Sequence, residues 1–319
     1  MKGCFLAGIL IGCLVLPAGR VFAKATEETQ GVRIGMVLKT LSSEYWRTIA
    51  AGAREAAKAH KVELLLLGPF REDAVDDQIA LVREVLGKGI QALIFSPSEP
   101  ARAVGVLTEA KQQGIPVILV DTAMPEGFQD YGLFIGTGNA IAGRQGAREL
   151  FSRLKPEAQV VLIEGDPVNT TTRERINAAE AELLDAGFRV IREAAYSDRE
   201  RAYRIMQDLL ERVDVEGVFA ANDEMALGAL RALQQKGRHD VTVIGVDGTA
   251  DALHSILRGE LYGSLAQKTY DMGRLSIERA LDLVAGKTVE RQLLNDTELI
   301  TLGNAQERLN FLSTILGKN

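Results

Sequence analysis

The sequence predicts an α/β protein built as two doubly wound parallel-sheet lobes. Three observations point there. From residue 32 onward, short β-branched runs alternate with longer amphipathic stretches, the cadence of parallel strands whose sheet is covered by helices on both faces. The runs number about ten, which is large for a single open sheet. The pattern also divides near Gly136 into halves of comparable order, and 319 residues suffice for two cores of ordinary size.

In the first half the strand-like runs are 32–38, 62–67, 92–96, 117–120 and 132–135. In the second they are 160–163, 190–191, 218–220, 241–246 and 261–266, each followed by a stretch of helical character. The stretch 44–60 is read as a helix because Ile49, Ala53, Ala56 and Ala57 recur at helical spacing while Arg47, Arg54, Glu55 and Lys58 supply a polar face. Gly89, Gly114, Gly187 and Gly237 stand where helices must turn into the next strand, a position that favours a residue tolerant of positive φ. No Pro/Ser/Gly-rich linker separates the halves, so the connection is expected to be short and polar clusters can share one cleft.

Hydrophobic residues at 46% and charged residues at 25% exclude a wholly disordered chain. Lys and Arg number 37 against 43 Asp and Glu, so the basic field that steers nucleic acid is missing. The first residues read as a secretory leader: Lys2, an apolar run over 4–16, then Pro17, Gly19, Arg20 and Val21-Phe22-Ala23. That run is too short to span a bilayer as a helix, and cleavage is expected near Ala23. An alternative reading takes Leu10-Ile11-Gly12-Cys13 as resembling a bacterial lipid-attachment box, with Cys13 acylated. Both cysteines, Cys4 and Cys13, lie in this leader, so a chain cut after Ala23 has no thiol for catalysis, disulfides or metal ligation. Loss of Lys2 and Arg20 leaves 35 bases against 43 acids.

In open α/β sheets, ligands bind beyond the carboxyl ends of the strands, where helix N-termini and loop side chains converge. That rule selects Lys39, Asp121, Asn222, Asp247 and Gln267, each directly after a strand-like run, with Tyr45 and Trp46 just past the first. Taken singly, each of the Asp or Asn residues is better explained as a helix cap or turn residue. Two acids, two amides and a lysine together suit a neutral polyhydroxy ligand: carboxylates accept from vicinal hydroxyls, amides donate and accept, and cationic groups donate to sugar oxygens. Aromatic faces cover the C–H faces of a sugar, although Tyr45 and Trp46 also fit ordinary core or hinge positions.

The run Val37-Leu38-Lys39-Thr40-Leu41-Ser42-Ser43 with Tyr45-Trp46, the run 222–229 (Asn-Asp-Glu-Met-Ala-Leu-Gly-Ala) and Gly245-Val246-Asp247-Gly248 resemble the ribose- and allose-binding periplasmic proteins. The likeness covers nearly the whole chain after the leader, and Lys39-Thr40-Leu41 is closer to the allose-binding branch. The resemblance implies a type I periplasmic binding protein fold with a three-segment hinge. One lobe is expected at 31–135 plus 268–297 and the other at 136–267 plus 298–319. It implies a monomeric receptor that uses no cofactor, performs no chemical step and delivers a monosaccharide to an inner-membrane ABC permease. The ligand positions it implies are Lys39, Ser43, Tyr45, Trp46, Asp121, Arg175, Asn222, Asp247 and Gln267. Three departures bear on the ligand. Ser43 stands where relatives commonly carry Asn, and Thr122 where the ribose branch carries Arg. Ser197 stands where relatives place a stacking aromatic, unless Tyr196 replaces it. A larger sugar, a modified one or a polyol could occupy the vacated space.

Other functions find weaker support. Gly136-Thr137-Gly138 with Gly143 suggests a nucleotide loop, but Ile141 stands where the third glycine of G-x-G-x-x-G belongs, and neither a P-loop nor G-x-S-x-G is present. His60, His239 and His254 are scattered and read as surface residues. A glycosidase dyad has no spacing signature to support it. Repressors of the lac type share such a sugar-binding core but need a DNA-reading segment where this chain has a leader. A receptor that presents bound sugar to a chemoreceptor or kinase is not separable from an importer component by sequence.

Overall fold

The computed structural model describes residues 1, 31–167 and 169–317. Apart from Met1, the leader at 1–23, with Ala23 and Cys13, lies outside the described residues. The first elements are β1 (Arg33–Val37), α1 (Glu44–Ala59), β2 (Glu63–Leu67), α2 (Val75–Leu86), β3 (Ala92–Phe95), α3 (Pro100–Gln112), β4 (Val117–Val120) and β5 (Leu133–Thr137). Next come α4 (Asn139–Phe151), β6 (Gln159–Glu164), α5 (Thr170–Asp185), β7 (Arg189–Ala194), α6 (Arg199–Leu210), β8 (Gly217–Ala220), α7 (Asp223–Gln235), β9 (Thr242–Asp247), α8 (Ala250–Leu257) and β10 (Gly263–Ala266). The last described elements are α9 (Thr269–Val284), β11 (Gln292–Asn295), β12 (Glu298–Ile300) and α10 (Ala305–Leu316).

These strands form two six-stranded sheets with the same internal order, β2-β1-β3-β4-β5-β11 and β7-β6-β8-β9-β10-β12. Among the described residues the chain passes between the sheets three times, from β5 to α4, from β10 to α9 and from β11 to β12. Pairing is parallel except where β12 runs antiparallel to β10, with Ser264 opposite Ile300. Ala92-Leu93-Ile94-Phe95 and Val117-Ile118-Leu119-Val120 are buried at every residue, as parallel strands sandwiched by helices must be.

The ten strand runs expected from sequence are all present. β11 and β12 lie outside that reading because Gln292-Leu293-Leu294-Asn295 and Glu298-Leu299-Ile300 are short, edge-placed and partly exposed, so no continuous apolar run marks them. Gly89, Gly114, Gly187 and Gly237 all adopt positive φ after their helices. A feature without a periodicity signal joins α1 to α9. A Cβ at Gly52 would overlap the carbonyl oxygen of Tyr270, and one at Gly273 would overlap that of Ile49. The two helices therefore meet backbone to backbone.

Candidate ligand-binding site

All nine side chains expected at the site border one cavity of about 580 Å3. They reach it from six separate stretches of chain. Lys39 and Ser43 lie in the loop after β1, and Tyr45 and Trp46 in the first turn of α1. Asp121 follows β4, Asn222 follows β8, Asp247 ends β9 and Gln267 follows β10, while Arg175 lies within α5. The cavity thus sits at the carboxyl ends of both sheets, where dipoles and loops of the open α/β fold converge.

A hydrogen-bonded chain runs across it. The Gln267 amide donates from Nε2 to Asp247 Oδ1 at 2.6 Å, and its Oε1 accepts from Thr137 Oγ1 at 2.5 Å. The Tyr45 hydroxyl lies 2.6 Å from Asp121 Oδ1 and 3.2 Å from Gln267 Oε1, so its single proton goes to the nearer carboxylate. Thr122 Oγ1 donates to the other oxygen of Asp121 at 2.8 Å. Arg175 is 2% exposed; its Nε donates to Asn139 Oδ1 at 2.7 Å and its Nη1 to the Ala221 carbonyl at 2.8 Å. Nη1 also stands 3.9 Å from Asp247 Oδ1, so the guanidinium is fixed as a planar donor with a carboxylate beside it.

Lys39 and Trp46 form a second group. Lys39 Nζ lies 5.5 Å from the centre of the Trp46 ring, and Trp46 Nε1 donates to Glu72 Oε1 at 2.6 Å. Trp46 is 3% exposed and meets Tyr45 edge to face at 5.0 Å, so it is a core residue of the first sheet's lobe as well as a cavity wall. Ser43 is the N-cap of α1 but makes no side-chain cap bond. Among the described residues its buried Oγ finds no hydrogen-bond partner. A buried hydroxyl left unpaired costs free energy unless something else satisfies it. Asn222, by contrast, caps α7: its Oδ1 accepts from the Met225 amide at 2.9 Å. Its cap role and its place in the cavity wall coexist, because Nδ2 is left to donate.

Burial sets the electrostatics. It pushes the Asp247 carboxyl well above the usual carboxylate range, against the pull of Arg175 and with a further push from Asp223. The Tyr45 phenol is held well above its ordinary value by burial first, then by Asp121 and Asp247. Asp223, wholly buried beside the site, is raised to about 6 by desolvation. It accepts from Ser264 Oγ at 2.6 Å and from the Thr249 amide at 2.8 Å. Gly245 makes room for it, since a Cβ there would overlap Asp223 Oδ1. The backbone is strained at the carboxylates: Asp121 has φ 65 and Asp247 has φ 126, where a side chain is rarely tolerated.

Several cavity residues carry no strand-end signal. Glu44 Oε1 accepts the Ala250 amide at 2.8 Å, tying the start of α1 to the start of α8 across the two lobes. Asn169, Thr171 and Thr172 come from the start of α5, where Asn169 caps the helix, and that cap pattern is the only sequence mark they leave. Tyr196 and Ser197 both line the cavity in left-handed backbone. The Tyr196 ring is half-exposed, with the Arg201 guanidinium 4.9 Å from its centre, which puts it at the rim.

The glycines that hinted at a nucleotide loop serve other ends. Gly136 and Thr137 close β5, and Gly138 opens α4. His60, His239 and His254 are exposed. Among the described residues no helix is long and apolar enough to cross a membrane, and no group of three His, Cys, Asp or Glu is arranged to hold a metal ion.

Residues 34–288 match the family model described as periplasmic binding protein domain. The ribose import binding protein of Bacillus subtilis is 30% identical over 273 residues, covering 84% of this chain and 87% of that protein. A solute binding protein from Bacillus halodurans, solved with bound myo-inositol, superposes with a TM-score of 0.79 at 25% identity, covering 89% of this chain and 99% of the other. One from Actinobacillus succinogenes, solved with bound D-allose, shares the fold with a TM-score of 0.81 at 24% identity, covering 86% of this chain and 99% of the other. With its two matching sheets, three crossings and a polar cavity between them, the chain belongs to the periplasmic binding protein family.

Proposed function

We propose that this protein captures a monosaccharide of the ribose or allose type between two lobes and hands it to an inner-membrane ABC permease, without carrying out a chemical step. The lobes are 31–137 with 268–297, and 138–267 with 298–319, the first crossing falling two residues later than the expected 135/136 because Gly136 and Thr137 pair with β11 in the first sheet, and the protein works as a monomer in the periplasm after loss of its leader near Ala23. One observation carries the reading: Lys39, Ser43, Tyr45, Trp46, Asp121, Arg175, Asn222, Asp247 and Gln267 border a single cavity.

The chemistry of that cavity suits hydroxyl groups. Asp121 and Asp247 accept, Arg175, Lys39 and the Asn222 amide donate, and the unpaired Ser43 hydroxyl does either. Tyr45 and Trp46 supply an aromatic side to the cavity. Closure follows from differential affinity: the ligand favours the closed state only by as much as it binds that state better. Micromolar affinity corresponds to about −8 kcal/mol, within reach of several charge-assisted hydrogen bonds after ordering costs.

Isothermal calorimetry of the purified protein against allose, ribose, other aldoses, ketoses and polyols tests the reading. Heat of binding from an aldose is expected, and silence across the whole panel would overturn it. A polyol is the second reading, favoured by the myo-inositol found in the Bacillus halodurans protein and by the short Ser43 and Thr122 side chains. Binding of polyols with no response to any aldose would select it.

A further inference from the structure

A second chamber of about 680 Å3 adjoins the ligand cavity, and Glu72 and Asn169 belong to the walls of both. Asp121 faces the first space and its neighbour Thr122 lines the second. Thr122 is short, and its hydroxyl is spent on Asp121 Oδ2 at 2.8 Å, so no long side chain is rooted at this position between the two spaces. From these relationships, and resting on the sugar-binding reading above, we infer that the ligand is a glycoside whose sugar ring fills the first cavity and whose second, uncharged moiety fills the second chamber.

The walls define that moiety. Val75, Pro100, Ala101, Met124 and Pro125 give the chamber an apolar lining, the surface on which a ring face or an alkyl group loses its hydration favourably. Among the described residues that line it none is basic, whereas Glu72, Asp73 and Glu99 bring carboxylates to it. An anionic substituent such as a phosphate is therefore repelled. Most of the wall comes from the loops and helix starts after β2, β3 and β4 of one lobe, and, among the described residues, Asp166, Asn169 and Thr170 come from the other. Such a chamber keeps its apolar face whichever way the lobes rock, so its occupant is held by one lobe while the sugar ring is shared by both.

Calorimetry with free ribose, allose, galactose and glucose beside the phenyl glycoside of each tests the inference. At least one phenyl glycoside is expected to bind about tenfold or more tightly than its free sugar, since the added ring buries apolar surface in a preformed space. Ala101→Trp, on the exposed first turn of α3, and separately Pro125→Trp, on an exposed loop, are expected to remove that gain. Free-sugar affinity should stay within about threefold in both, because neither residue borders the first cavity. Free sugars binding as tightly as their glycosides, or a gain that survives both tryptophans, would overturn the inference while leaving sugar binding in place. Failure of free sugars and glycosides alike would instead remove the sugar reading, and this inference with it.

Discussion

Gly143 of α4 lies against the backbone carbonyl of Arg175 in α5 so closely that a Cβ would overlap that oxygen. The glycine that resembles part of a nucleotide loop in the sequence is thus a spacer that fixes where the Arg175 guanidinium stands. Gly143→Ala is expected to force α5 away, costing about 1–3 kcal/mol of stability. Ligand affinity should fall roughly tenfold or more as the donor leaves its geometry. Urea denaturation and calorimetry on the same variant measure the two effects, and unchanged affinity would show that Arg175 does not contact the ligand.

Asp247 and Arg175 are expected to be the costliest side chains to remove. Asp247→Ala and Arg175→Ala should each abolish most sugar binding. They differ in stability. Arg175→Ala strands the buried Asp247 carboxylate and frees the Ala221 carbonyl, a loss of about 3–5 kcal/mol for a broken buried pair. Asp247→Ala removes a carboxylate whose burial is already unfavourable and should cost less. The double variant should recover part of the Arg175→Ala loss in a denaturant cycle; strict additivity would mean the two groups do not interact across 3.9 Å.

Tyr45→Phe keeps the aromatic wall and removes the hydroxyl that donates to Asp121. A hydrogen bond to a charged group contributes about 1.5–3 kcal/mol, and thermal or urea unfolding should register a loss of that order. The freed Asp121 oxygen becomes available to a ligand hydroxyl, so the ranking of epimeric sugars in calorimetry should change. An unaltered ranking would place the sugar away from Asp121.

Asp223 makes stability depend on pH. Its carboxyl rises from 3.8 to about 6 on folding, so the folded state holds the proton more tightly. The stability this group contributes is fully present below pH 3.8 and is lost as the pH rises through about 6. A shift of about two pK units corresponds to roughly 3 kcal/mol. In Asp223→Asn the fall in urea midpoint between pH 4 and pH 7 should shrink relative to the parent protein, and an identical pH profile would refute the assignment.

Much of this site was legible because strand ends are local features. A β-branched run followed by Lys39, Asp121, Asn222, Asp247 or Gln267 marks where a parallel strand stops, and the fold puts such positions on one edge. Arg175 has no such mark: it lies inside a helix, and only the family resemblance singles it out. Asp223 has no mark as a site residue although it adjoins Asn222, because its full burial and the Gly245 gap that admits it depend on β9 lying alongside. Glu44 shows in the sequence only as the start of a helix, and its partner Ala250 is 206 residues away.

The sequence by itself determined the alternation of strand and helix, the two comparable halves and the polar strand ends, since each is written in residues only a few positions apart. Tertiary structure alone decided that Gln267 joins Thr137 and Asp247, that the Tyr45 proton is committed to Asp121, and that a second chamber opens past Thr122. The reason is physical: hydrogen-bond partners, desolvation and empty volume are properties of everything that surrounds a group, and those surroundings exist only once distant segments, such as Thr137 and Gln267 at 130 residues apart, have been brought together.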